Sequence, residues 1–242
     1  MGTKVLSIAE RGNLYEEMRG TIVGIYGKNY KVLGGGAFVV VGSSQLVLTA
    51  AHVVDEEDIE DLYIVTFEKE LFHVEQVKSN KKRDIALLAL KDQHDMSVDD
   101  GFECADLCET NELTVGSEVH FIGHPGQQTF IYNVGNISCA EKTYDIFYDL
   151  SEIDYYPELK MEERVDDFRG LSDSLKLVQV KNMHGGGRYG GTGAPILDCD
   201  GNIVGLYSFS FQDEDYAIHV ADIRATIDNL IVKTKAMASK KT

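Results

Sequence analysis

At 242 residues, with 43% hydrophobic and 26% charged side chains, the chain has the make-up of a globular protein, and a β-barrel or sandwich of this length is commonly one domain. No apolar run approaches the ~20 residues that cross a bilayer, which excludes a membrane protein of the helical kind. Forty acidic against 23 basic residues leave a formal charge of −17, which disfavours nucleic acid and anionic lipid. Basic or unfolded polypeptide partners are more compatible, unless the charge only keeps molecules apart.

The start, Met1 to Glu10, has neither the apolar core of a secretory signal nor the arginine- and serine-rich character of a transit peptide. A soluble, intracellular location in cytoplasm or nucleus is expected. Gly2 invites myristoylation, but Leu6 stands where that pattern wants Ser or Thr. Cys104, Cys108, Cys139 and Cys199 then read as reduced thiols, and no C-x-x-C pair suggests zinc. No metal and no cofactor is expected.

In chain order, a weak helical pattern covers Ser7 to Met18. Short β-branched and aromatic runs follow, separated by Gly, Asn and Asp turns, and predict strands near residues 21–26, 36–41, 46–49, 62–67, 71–77 and 85–90. The stretch from Lys91 to Leu113 is polar and reads as the boundary between two halves. Further strands are expected near 118–122, 129–140, 175–180, 196–197, 203–211 and 216–220. Val220, Ile223, Ile227, Leu230 and Ile231 recur at helical spacing, so Ala221 to about Lys235 should pack as an amphipathic helix. About a dozen strands make an all-β two-barrel or sandwich fold. The chain reads as one catalytic-type unit, residues 1–242, with sub-barrels near 19–100 and 113–220.

Lys142 to Ser174 breaks the strand pattern. It is rich in acidic residues and tyrosines, including Tyr144, Tyr148, Tyr155 and Tyr156, and reads as an insertion between two strands. Loops this long are usually functional or mobile, so a lid that gates substrate or partner is weighed against a solvated excursion.

Three segments carry chemistry. Leu48-Thr-Ala-Ala-His-Val-Val54 ends a strand, Arg83-Asp-Ile-Ala-Leu-Leu-Ala-Leu90 begins one, and Arg188-Tyr-Gly-Gly-Thr-Gly-Ala-Pro195 is a glycine-rich loop. Cleaving a peptide bond with a hydroxyl nucleophile needs a base, a group that orients the base, and donors for the oxyanion. His52, Asp84 and Thr192 supply the first two and the hydroxyl, in that order. The consecutive glycines let the amides of Gly190, Gly191 and Thr192 converge as an oxyanion hole. Any one segment alone is more often a core histidine or a plain turn.

These segments resemble the chymotrypsin-like superfamily, and within it most the HtrA (Do-like) branch, over roughly Thr21 to Ile231. Gly34-Gly-Gly-Ala-Phe38, Val115 to Gly126 and Asp200-Gly-Asn-Ile-Val-Gly205 extend the likeness. It implies two six-stranded β-barrels with the site between them, and a substrate strand running along Leu206, Tyr207, Ser208, Phe209 and Ser210. It also puts the floor of the primary pocket near Gly186, with Tyr189 in the substrate site. Gly186 offers no carboxylate for Lys or Arg, so apolar or small side chains are expected, and Arg188 is either a solvated cation or a hint of acid tolerance. The branch often forms trimers; the short N-terminal segment here suggests a monomer or small homo-oligomer.

Three departures matter. Gly190-Gly-Thr-Gly-Ala-Pro195 stands where the family has Gly-Asn-Ser-Gly-Gly-Pro, no PDZ domain is present, and the acidic insertion lies near the family's activation loop. Threonine keeps the hydroxyl, but its methyl stiffens χ1 in a space built for hydrogen. Two readings remain: an endopeptidase with a slow threonine nucleophile, or a pseudoprotease that binds polypeptides as regulator or adaptor. His120 and His124 are four apart but flank a strand end, so a shared metal is not expected. His184 lies in the glycine loop, either lining the pocket or as a plain loop residue.

Overall fold

The computed structural model describes residues 4–91, 101–125, 128–143, 171–183, 191–211 and 214–238, with side chains described as far as Ile231 in the last segment and without that of Phe211. The acidic insertion is therefore outside the description from 144 to 170, as are His184, Gly186, Arg188, Tyr189 and Gly190.

The first barrel comprises β1 (Ile22–Tyr26), β2 (Val32–Val41), β3 (Ser44–Thr49), β4 (Tyr63–Val65), β5 (Leu71–Asn80) and β6 (Ile85–Leu90). The second comprises β7 (Glu118–Gly123), β8 (Ile131–Thr143), β9 (Lys176–Lys181), β10 (Pro195–Leu197), β11 (Ile203–Phe211) and β12 (Glu214–His219). Each six-stranded sheet closes on itself, in the orders β1-β2-β3-β6-β5-β4 and β10-β11-β12-β9-β8-β7. Closure pairs both edges of every sheet, so neither barrel leaves a long ladder of unmet amides.

Composition explains which strands line the cores. β6 is apolar throughout, and Ile85, Ala86, Leu87, Leu88 and Leu90 are all buried. β5 instead alternates, burying Val74 while its neighbours face out. Helix α1 (Ile8–Met18) begins at a capping box: Ser7 Oγ accepts from the Glu10 amide at 3.3 Å and Glu10 accepts from the Ser7 amide at 2.7 Å. Helix α2 (Val220–Ala238) starts where His219 Nδ1 accepts from the Ala221 amide at 3.0 Å, and Val220, Ile223 and Ile227 bury its inner face.

The connector after the first barrel touches both. Phe102 stacks on Phe38 with centroids 4.0 Å apart, and the Ala105 amide donates to Phe38 O at 2.8 Å. Two residues on, Leu107 bridges in parallel to Ile203, and the Ile203 amide donates to Asp106 O at 2.7 Å. The boundary segment thus acts as a strap across the two barrels. No described helix is long and apolar enough to cross a membrane.

Candidate active site

His52 sits on a single 3₁₀ turn, Ala51–Val53, directly after β3. Ala50 and Ala51 are buried, so the turn packs closely while the imidazole, 35% exposed, faces the cleft. Asp84 closes the loop between β5 and β6 with φ of +52°, a left-handed conformation that Asp tolerates better than most side chains. That twist turns its carboxylate toward the end of β3. His52 Nδ1 lies 2.8 Å from both Asp84 oxygens, and the His52 amide donates to Oδ1 at 3.0 Å.

Asp84 is only 1% exposed, and a carboxylate so buried needs donors around it. The third donor is Ser208, whose hydroxyl reaches Oδ2 at 2.8 Å. Ser208 lies at the register shift in β11 between Tyr207 and Phe209, where an extra residue re-aims the side chain inward. With Asp84 holding Nδ1, the favoured tautomer carries its proton there and its lone pair on Nε2, the form a general base needs.

The loop carrying Asp84 is fixed from the second barrel. Arg83 Nη1 pairs with Asp222 on α2 at 2.9 Å, and the Ser172 amide donates to Lys82 O at 2.8 Å. Asp222 also accepts from the Lys176 amide at 2.7 Å. These long-range ties were not legible in the sequence, because no local pattern links Arg83 to Asp222.

Thr192 lies on a turn from Gly191 to Ala194, whose closing bond runs from the Ala194 amide to Gly191 O at 3.3 Å. Gly193 takes φ of +82° at the third position, as a type II turn requires. The turn is pinned on two sides. The Gly35 amide donates to Thr192 O at 2.8 Å, and the Gly193 amide donates to Tyr207 O at 2.8 Å. Gly35 has to be glycine: an added Cβ would stand 2.8 Å from the Ala194 Cβ. Ala194 thus occupies space that Gly35 leaves open. The Thr192 turn is held against β2, whose neighbour β3 leads into the His52 turn.

Of the other expected substrate residues, Leu206, Tyr207 and Ser208 are buried and Phe209 stacks on Tyr216, centroids 5.1 Å apart. The Tyr207 hydroxyl bonds Asp215 at 2.8 Å and Ser210 at 2.6 Å, and burial pushes its pKa far up. Past Tyr207 the β10 side of β11 carries no strand among the described residues. Gly186, Tyr189 and Gly190 lie outside the described residues.

His120 and His124 part company. His120 Nδ1 meets the Tyr132 hydroxyl at 2.8 Å, and its ring faces Glu118 and Cys199. His124 is fully buried, edge-on to Phe130 and within van der Waals reach of Gly24 on β1. Neither of its ring nitrogens finds a hydrogen-bond partner of good geometry. Burial holds its pKa down at about 4, with a weaker opposing pull from the Val23 backbone.

The sequence profile of the Trypsin-like peptidase domain family matches residues 35–206, which include His52, Asp84 and Thr192. The chain belongs to that family. This trypsin-like domain is also similar to the M. tuberculosis protease Rv3671c. Its inactive form aligns at TM-score 0.65 and 16% identity, covering 95% of this chain and 99% of that one. Its active form aligns at 0.66 and 15%, covering 95% and 89%. A serine endoprotease from Yersinia pestis aligns at 0.65 and 15%, covering 94% and 68%. No curated protein sequence matches the chain significantly. At such identities the structural likeness speaks for the trypsin-like fold alone.

Proposed function

We propose that this trypsin-like domain is an endopeptidase of the HtrA-like kind, hydrolysing peptide bonds through His52, Asp84 and Thr192. The observation that carries the reading is the Asp84 carboxylate: buried, left-handed in backbone, and fully occupied by His52 and Ser208. A site with no proton to move has no chemical need for a buried charge held in this way.

In the proposed reaction Thr192 Oγ1 attacks the scissile carbonyl carbon while its proton passes to His52 Nε2. The carbonyl electron pair moves onto oxygen, where the amides of Gly190, Gly191 and Thr192 receive it. Asp84 stabilises the imidazolium without taking its proton. Collapse of the adduct breaks the C–N bond, and His52 gives its proton to the departing amine. Water, deprotonated by His52, then frees the acyl group from Thr192. The substrate is an extended polypeptide along Leu206 to Ser210, in which Ser208 offers backbone only because its side chain is turned inward, while the Tyr207 backbone is already taken by Gly193 and Ala194. Gly186 suits apolar or small residues at the cleavage position.

A second reading, a pseudoprotease that binds polypeptides in the same cleft, draws on one observation. The Thr192 turn is tied at both its carbonyl and the following amide, which leaves the threonine methyl little backbone freedom to find room.

The test is cleavage of a quenched, unfolded protein by wild type, Thr192→Ser, Thr192→Ala and His52→Ala. Cleavage by wild type that both alanine variants lose supports the endopeptidase. Cleavage by Thr192→Ser alone assigns the protein to the second reading.

A further inference from the structure

We infer that Glu118, His120 and Cys199 form a binding site for a borderline divalent cation, Zn²⁺ being the best match, on the second barrel beyond the end of β10. This does not depend on whether Thr192 reacts. β7 and β10 pair with Leu197 opposite His120, which carries Cys199, two residues past Leu197, over the same end of β7. The three ligand atoms lie within 4.8 Å of one another. His120 Nε2 is 3.6 Å from Cys199 Sγ and 3.5 Å from Glu118 Oε1. Tetrahedral zinc with ordinary Zn–S and Zn–N lengths holds its ligand atoms roughly 3.3–3.6 Å apart, the spacing at which His120 Nε2 stands from each of the other two donors.

The surroundings orient the donors. His120 is fully buried and its Nδ1 is engaged by the Tyr132 hydroxyl at 2.8 Å, which directs Nε2 at the other two ligands. A hydrogen-bonded outer partner of this sort is what a metal-binding imidazole ordinarily has. Glu118, 4% exposed, accepts from Arg11 Nη2 at Oε2 and from the Leu6 amide and Arg11 Nε at Oε1, each at 3.2 Å, and Oε1 also faces His120 Nε2. Arg11 and Leu6 therefore fix the carboxylate with Oε1, on the side of His120 Nε2, as the atom turned to the cation. Cys199 is partly exposed and borders a cleft of about 250 Å³ that Lys4, Leu6, Glu10 and Asp200 also line. The cleft supplies an entry path from solvent.

Binding is balanced as follows. The Cys199 thiol releases its proton to solvent, the His120 ring proton moves to Nδ1 and is donated to Tyr132 Oη, and the three lone pairs fill three positions of the cation. One proton is released per cation bound. The cation ties the N-terminal segment, through Arg11 and Leu6 on Glu118, to the turn after β10.

The test titrates the full chain, stripped with chelator, with Co²⁺ as spectroscopic probe and Zn²⁺ as competitor. Expected is one Co²⁺ per chain with sulfur-to-cobalt charge-transfer absorption, displaced by Zn²⁺. Cys199→Ser should lose that absorption, and Cys139→Ser should keep it. Tyr132→Phe, which keeps all three ligands, should keep the band and bind ~10–100-fold more weakly. No charge-transfer band in wild type, or a band that survives in Cys199→Ser, overturns the site.

Discussion

In the proposed reaction the deciding residue is Thr192, and its one added methyl separates two outcomes. A displacement of ~1 Å at a reacting atom costs about a hundredfold in rate, so Thr192→Ser should raise peptide cleavage by about that factor. Steady-state cleavage of a quenched substrate checks it; an unchanged rate would mean that the methyl is already accommodated. Asp84→Asn keeps the shape of the side chain but offers His52 a donor in place of an acceptor on one side, favouring the wrong tautomer. A loss of about 10⁴-fold in kcat is expected, with KM little changed. Ser208→Ala removes a hydroxyl that lies 2.8 Å from Asp84 Oδ2. Leaving that buried oxygen short of a donor should cost about 1–3 kcal/mol in urea unfolding, and an unaltered midpoint would show that Ser208 contributes nothing to holding the carboxylate.

At the scale of elements, the fit between β2 and the Thr192 turn is the sharpest feature. Gly35→Ala would set its new methyl 2.8 Å from the Ala194 Cβ, and should destabilise the fold by about 1–3 kcal/mol. Pairing it with Ala194→Gly should restore most of that loss. Denaturant unfolding of the two single variants and the double variant measures the coupling, and simple additivity would refute the contact. The elements themselves were legible, because β-branched runs bounded by Gly, Asn and Asp mark strands wherever they occur. β2 begins at Val32, earlier than the sequence suggests, because Gly34 to Gly36 carry no strand signal of their own. The meeting of His52 with Asp84 was legible from their segments. The inward Ser208 hydroxyl was not, since it depends on a bulge set by pairing across β11 and β12. Nor was the meeting of Glu118, His120 and Cys199, which follows from the register of β7 against β10.

For the molecule as a whole, the contact between the barrels contains a titratable group that burial keeps neutral. His124 titrates at about 4 in the fold and near 6.5 when unfolded. Because the folded value is the lower one, the unfolded chain takes up the proton first as pH falls. Stability is intact above about pH 6.5 and declines from there toward pH 4, by about 3 kcal/mol for this residue. His120 and His219, both also shifted down by burial, act in the same direction. Unfolding free energies at about pH 7 and about pH 4.5 should therefore differ, and the difference should shrink in His124→Gln. The same pH dependence in that variant would rule His124 out as its source.

Covalent trapping tests whether Thr192 is a nucleophile activated by His52. Wild type, His52→Ala and Thr192→Ser would be treated with an aryl fluorophosphonate, and the modified residue located by peptide mass mapping. A phosphonyl adduct on Thr192 is expected in wild type, with faster labelling of the serine at that position in Thr192→Ser and none in His52→Ala. Labelling of Thr192→Ser with no adduct on wild type would contradict it, and would mean that the methyl has silenced an otherwise complete site.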